Sequence, residues 1–278
     1  VVAADGSLNS ELRDQGLELV KVARSDLLMV GISSQNELLQ KKRGLRLAIG
    51  LAANAADLVE PVFGGRAVPA AGPLPPGVKG YHLDYRHLYR ASDEERARDL
   101  LGSNGYLHGH GLPEFRLGCL SDPLELRICE ALQRSWSRVG IQIRRVELNP
   151  KSRSLAIARG EIDLWPLTWV ADLPGAASFL EVFSSSNGAS GTGLIEIPGL
   201  GKSNARFEAL LQKIRSAPGE TSLLRAADEA QDLLNLESPA VFLLHRFQFW
   251  LVRKGWEGIG LEDFSWHDSD QLSIRNEP

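Results

Sequence analysis

Between Glu114 and Trp169 the chain alternates, across short connections, between segments that favour extended backbone and segments that favour helix, and few architectures accept that order. Glu114 to Leu120 reads as a strand. Asp122 then caps a helix with Pro123 at its first position and Glu125 at its third, and Leu124, Ile128, Leu132 and Trp136 recur every four residues along it. Gly140 ends the helix, Ile141-Gln142-Ile143-Arg144 alternates as a strand, a helix around Ser152 to Ala158 follows, and Ile162 to Trp169 supplies a third strand. Strand, helix, strand, helix, strand with short links predicts parallel crossover units, hence a three-layer α/β arrangement.

The flanks extend the pattern. Leu17 to Ala23 and Leu27 to Ser33 are apolar runs separated by the polar Arg24-Ser25-Asp26 and read as two strands. Leu45 to Val59 is rich in helix formers with apolar residues on most faces, which predicts one buried helix ended by Gly64 and Gly65. Arg66 to Tyr81 carries four prolines and three glycines and reads as a long ordered loop or a linker, because so few backbone donors cannot sustain a helix or a central strand. Ser92 and Glu95 have capping-box spacing ahead of a short helix over about 93–102. Ser184 to Ser203 is rich in Ser, Gly and Asn and reads as a surface loop. Helices are expected over Ala205–Arg215 and Thr221–Leu236, and the apolar run Ala240 to Val252 reads as a strand buried on both faces.

Composition narrows the function. A net charge of −4 and a pI near 5.9 argue against a nucleic-acid partner, which would need a basic stripe of Lys and Arg. No segment approaches the roughly 18 uninterrupted apolar residues of a membrane span. Cys119 and Cys129 either pair or pack as small apolar side chains, with burial the favoured reading. Gly199-Leu200-Gly201-Lys202-Ser203 resembles the end of a phosphate loop, but Glu196 stands where that loop needs glycine. Thr192 likewise spoils a nucleophile elbow in Gly188 to Gly193. His108-Gly109-His110, with His82 and His87 upstream, lacks the carboxylates or thiolates of a metal site, and His245-Arg246 inside an apolar strand reads as a hydrogen-bonded core pair. No catalytic residues, metal ligands or cofactor site are expected.

The stretch Trp169-Val170-Ala171-Asp172 carries the candidate site. An apolar strand delivers an indole and a carboxylate to the loop at its carboxyl end, where ligands of α/β sheets sit. A carboxylate beside an aromatic surface suits an amine or other cationic group, because the ring excludes water and lowers the local dielectric. The competing reading is a packed Trp with a helix-capping Asp.

Several stretches, in order, resemble the C-terminal lobe of extracytoplasmic solute-binding proteins of ABC transporters, in the family with dipeptide-, oligopeptide- and nickel-binding members. Leu45 to Val59 is similar to the family's "vRqAi…AidreaiV" helix, Gly65 to Pro76 to its "G…pa.gplPpg" loop, and Glu94 to Tyr106 to "kAreLLaeaGy". Leu126 to Ile143 resembles "a..iq..l..iGI.v", Gly160 to Phe183 resembles "G.fDl...gW.aDypdp..fl..", and Phe207 to Leu244 resembles the closing pattern "f..ll..A…d…R..ly…q.il.e..P.ipl".

The resemblance implies a type II periplasmic-binding-protein lobe, a mixed sheet flanked by helices, that binds without chemistry. It makes Asp172 the candidate anchor for a ligand's amino group and Trp169 a wall of the cleft. It further implies a small polar solute, with a peptide foremost, an ABC permease as partner, a monomeric protein and a periplasmic or extracytoplasmic location at the membrane through the transporter. Residues 1–26 are then expected to be a remnant of an N-terminal lobe with a crossing strand, 27–245 the C-terminal lobe, and 246–278 a returning strand and tail, so that the chain is a fragment. The alternatives are a peptide-sensing or chaperone-like module using the same cleft and, further off, a hydrolase-like enzyme. The chain departs from the family pattern at Leu173, where the family has Tyr, at Gly175-Ala176, where a later Asp is replaced, at Ser33, about where Asn is common, and at Ala53-Asn54-Ala55-Ala56.

Overall fold

The computed structural model describes residues 10–82, 92–171, 173, 175–184, 205–254, 256–257 and 273–274. In chain order the elements are α1 (Ser10–Asp14), β1 (Leu17–Ala23), β2 (Asp26–Ile32), α2 (Glu37–Lys41), α3 (Arg43–Ala52), α4 (Ala56–Phe63) and β3 (Ala67–Pro69). Then come α5 (Glu94–Ser103), β4 (Phe115–Leu120), α6 (Pro123–Ser137), β5 (Ile143–Leu148), α7 (Pro150–Ala158), β6 (Leu164–Val170) and α8 (Ala176–Leu180). The last are α9 (Ala205–Arg215), α10 (Glu220–Glu237), β7 (Ala240–Arg253), β8 (Trp256–Glu257) and β9 (Ser273–Ile274).

The alternating segment folds as its sequence requires. Asp122 accepts from the backbone N–H groups of Leu124 and Glu125 at 3.0 Å each, so the negative end of the cap meets the positive end of α6. Ile128, Leu132 and Trp136 bury their side chains from this helix, and Trp136 donates its indole N–H to the Ile49 carbonyl at 2.8 Å. β4 pairs in parallel with β5 along its length and with β6 at a single register pair, Leu117 with Leu164. β6 continues antiparallel to β2, and β2 to β7, giving the order β1-β7-β2-β6-β4-β5 with β3 on β7. The sheet is therefore mixed, and two apolar clusters cover its faces. One contains residues of α3, α4, α5 and α6; the other contains residues of α7, α8, α9 and α10.

Near the carboxyl end of β2, Gly31 lies opposite Trp165, and a β-carbon there would fall 2.5 Å from the indole ring. The large ring lies where the small residue leaves room for it.

The thin β4–β6 junction is reinforced by an ion pair whose carboxylate is buried and whose guanidinium is partly exposed. Asp163, just ahead of β6, accepts through Oδ2 from the backbone N–H of Arg116 at 2.7 Å and from its Nε at 2.9 Å. Its Oδ1 accepts from Arg116 Nη2 at 2.9 Å and Asn36 Nδ2 at 2.8 Å. Burial pushes this carboxyl up, but the Arg116 fork, the Asn36 amide and the Arg116 backbone N–H together outweigh burial and hold it below the usual carboxylate range.

Several expectations need correction. The helix over Leu45–Val59 is two helices, because Asn54 makes a local turn: its side-chain oxygen accepts from Ala56 N at 3.2 Å and its amide donates to Asp57 Oδ1 at 2.8 Å. Asp93, not Ser92, caps α5, accepting from Arg96 N at 2.9 Å. The proline-rich stretch is not all loop, since β3 pairs with β7 up to Pro69, whose missing N–H a short edge strand tolerates. β5 starts two residues later than expected and runs further. β7 is buried on both faces only in its first half; from Arg246 onward it is half-exposed, because past its pairing with β3 at Arg246 it runs out with β1 as its strand partner, Ala23 opposite Phe247 through Leu17 opposite Arg253. Cys119 and Cys129 are both buried and joined as a disulfide between β4 and α6, with Cα atoms 6.4 Å apart. The Ser/Gly-rich loop, the two glycine motifs inside it and His87 lie outside the described residues.

Candidate functional site

At its carboxyl end β6 is flanked by the start of β2, so Trp169 faces Leu27 and Val170 faces Asp26 across the antiparallel pair. Side chains of opposed residues share a face, which separates this rim into two sides.

On one side stands Trp169. Its indole N–H donates to the carbonyl of Ser178 in α8 at 2.9 Å, and its ring packs on the cluster beneath α8, α9 and α10, leaving the remainder half-exposed. The indole is fixed by its own lobe and offers a surface rather than a donor. Val170 is 55% exposed and Leu173 67%, so the rim is more apolar than two charged or hydroxylated neighbours would make it. The replacement of the family's Tyr by Leu173 is thus an exposed change. Asp172 lies outside the described residues. Ser33 is buried at the other end of β2, its N–H donating to Asp163 O at 2.8 Å, and takes no part in this rim.

On the other side the structure assembles charges that the sequence shows only as two interruptions of apolar strands. Asp26, 1% exposed, takes Arg24 Nε at 2.8 Å and Arg246 Nε and Nη2 at 3.0 and 2.6 Å, all on Oδ2. Its Oδ1 is buried with no hydrogen-bond partner among the described residues. Arg24 N also donates to Arg246 O at 2.9 Å, so the cluster sits where β7 passes from β2 to β1. The sequence shows Arg24 and Asp26 as a polar break between strands and Arg246 as part of a core pair with His245, but not that Arg246 pairs with Asp26; the signal for that was opposite charge in the two breaks.

Behind this cluster lies His245, fully buried, with Nδ1 3.3 Å from the Asp26 carbonyl and Nε2 3.2 Å from that of Gly72. Burial holds its pKa down at about 4, against the pull of the nearby Asp26 and the two carbonyls, so the ring is neutral near pH 7. The hydrogen-bonded core role expected for it is what the geometry gives. At the end of β4, Glu125 accepts from Leu120 N at 2.7 Å and pairs with Arg153, burial pushing the Glu125 carboxyl up. Both groups are committed to one another.

Among the described residues no group of three or more His, Cys, Asp or Glu is placed to hold a metal, and no helix is long and apolar enough to cross a membrane. His82 pairs with Asp228 at 3.1 Å.

A family model described as bacterial extracellular solute-binding proteins, family 5, middle region, matches residues 3–191. The dipeptide-binding protein of Escherichia coli (strain K12) is 22% identical over 265 residues, covering 94% of this chain and 48% of the relative. Di/tripeptide-binding protein 2 of Pseudomonas aeruginosa (strain UCBPP-PA14) is 24% identical over 268 residues, again 94% and 48%. Among solved structures, HbpA2 from Haemophilus parasuis superposes with a TM-score of 0.75 at 20% identity, over 90% of this chain and 48% of the other. The periplasmic binding protein DppA from Helicobacter pylori, in complex with peptide STSA, gives 0.71 at 20% identity, over 95% and 50%. The chain spans about half the length of the curated relatives it matches.

Proposed function

Since the chain belongs to family 5 of the bacterial extracellular solute-binding proteins, we propose that it forms one wall of a solute-binding cleft in the capture component of an ABC importer. The solute is a peptide or a similar small polar molecule with an amino group. The observation that carries this reading is Trp169, held rigid by Ser178 yet half-exposed at the carboxyl end of β6, where ligands of α/β sheets sit. Asp172, three residues on, supplies the amine anchor, and the exposed Val170 and Leu173 give apolar contact.

In this reading residues 1–26 belong to an N-terminal lobe and a crossing strand, 27–245 form the solute-binding lobe, and 246–278 return toward the other lobe. The β1–β7 ribbon supports that division, because a half-exposed two-stranded ribbon is marginal in water without something to pack against. The lobes close on the solute by hinge motion, and the monomeric protein passes it to a membrane permease from the periplasmic or extracytoplasmic side. The named relatives bind dipeptides and di- or tripeptides, in support of the solute class.

The test is calorimetry of the full-length protein against di- to tetrapeptides, simple amines and nickel. Asp172→Ala is expected to weaken binding of amine-bearing ligands by about 10- to 100-fold, the worth of a hydrogen bond to a charged group. Full affinity retained by the variant removes the anchoring role, and binding of neutral sugars alone removes the peptide reading.

A further inference from the structure

Resting on the reading of this rim as the cleft wall, we propose that Glu125 and Arg153 act as a spacer between β4 and β6, and that the gap they hold open sets how large a side chain the solute carries beside its amine.

The strands part where their register is followed forward. Leu117 lies opposite Leu164, so Cys119 would next lie opposite Pro166. In a continuing parallel ladder the residue at Pro166 would donate to the Gly118 carbonyl and accept from Leu120 N–H. Proline cannot make the first bond, having no N–H. Leu120 does point its N–H toward β6, because Ser121 after it donates to Leu148 of β5 on the other side. The second bond is nonetheless replaced, because a side-chain pair stands between its donor and its acceptor. Leu120 N–H donates to Glu125 Oε1 at 2.7 Å, Arg153 Nη1 donates to that same oxygen, and Nη1 reaches the Pro166 carbonyl at 3.2 Å. Two groups that would otherwise meet at about 2.9 Å are thus held apart by a carboxylate and a guanidinium in series.

The gap lies at the mouth of the cleft. After β4 the chain turns into α6 over one face of the sheet, and after β6 into α8 over the other. Between adjacent strands whose connections leave on opposite faces a crevice opens at the carboxyl ends. Leu124, 38% exposed in the first turn of α6, edges it on one side, with Val170 and Leu173 on the other. At the amino ends of the same two strands Arg116 and Asp163 pin them together. Fixed at one end and wedged at the other, the pair of strands is widest where the solute enters. The spacer itself is shielded, and each partner is bound to backbone as well as to the other, so it holds one length.

The experiment measures size preference at a constant amine, by calorimetry of the full-length protein with Gly-Ala, Ala-Ala, Leu-Ala and Phe-Ala. The natural protein is expected to bind Leu-Ala about 10-fold more tightly than Gly-Ala, as burial of part of an aliphatic side chain between apolar rims requires. Glu125→Ala with Arg153→Ala removes the spacer and leaves no lone charge, so β4 can close on β6, and the preference is expected to fall to near one or to reverse. Glu125→Gln keeps the length and the acceptor and is expected to retain the preference, which a role through charge would not allow. If the double variant does not fold, Pro166→Ala, which supplies the missing N–H, takes its place with the same shift expected. Equal binding of Gly-Ala and Leu-Ala by the natural protein, an unaltered preference in the variant compared, or a loss in Glu125→Gln as large as in that variant overturns the spacer. The cleft reading survives each of these if Asp172→Ala weakens binding of Ala-Ala, whereas failure of the natural protein to bind any of the four dipeptides overturns both.

Discussion

Asp163→Ala is expected to destabilise the protein by about 2–3 kcal/mol, measured as the change in chemical denaturation midpoint at constant slope. The carboxylate is nearly fully buried and receives four hydrogen bonds from Arg116 and Asn36. Its removal leaves the Arg116 backbone N–H and the Asn36 amide without their acceptor, while the partly exposed Arg116 guanidinium turns to water. The position also bears topology, because β4 meets β6 at one register pair, and the bonds around Asp163 carry the rest of that junction. Asp163→Asn keeps an acceptor and is expected to cost distinctly less. A loss below about 1 kcal/mol for the alanine variant would show that the pair is merely surface-like in strength.

The second large effect is a loss of stability on mild acidification, driven by His245. Its folded pKa of about 4 lies below the ordinary 6.5, so between these values the unfolded chain takes up a proton that the folded protein refuses. Stability from this group is therefore complete above pH 6.5, falls as the pH drops below it, and stops falling near pH 4. That interval corresponds to roughly 3 kcal/mol. Asp163 does not blur the window, since a depressed carboxylate loses its contribution only as pH falls through the range below 3.8. Glu125 acts in the opposite sense, because a raised carboxyl makes the folded state the better proton acceptor near its titration. Unfolding free energies at pH 7.5 and 4.5 for the natural protein and His245→Gln separate these: the variant should lose most of the acid sensitivity. Parallel pH profiles for the two proteins would refute the assignment.

The three-layer order was legible because each local signal between Glu114 and Trp169 agrees with the others: Asp122 caps, Pro123 starts, Gly140 stops, and the four-residue spacing puts Ile128, Leu132 and Trp136 on one face. α9 came out with the bounds expected. What was hidden is what depends on distant partners. Ala53 to Ala56 is helix-forming by composition, and only the Asn54 turn, an amide competing with the backbone, splits it. The second half of β7 has the same apolar composition as the first, and its exposure follows from leaving the sheet, which composition cannot register. The rim was half visible: Trp169 shows itself by its place at a strand end, whereas Arg24 and Arg246, more than two hundred residues apart, meet on Asp26 only through the pairing of β7 with both β1 and β2.

The close fit of Gly31 against Trp165 constrains how lineages carrying this lobe drift. A change at either position alone is punished: any side chain at the first collides with the ring, and any smaller residue at the second opens a void in the middle of the sheet. Substitutions at the two positions are therefore energetically coupled, a change at one being tolerated best with a compensating change at the other.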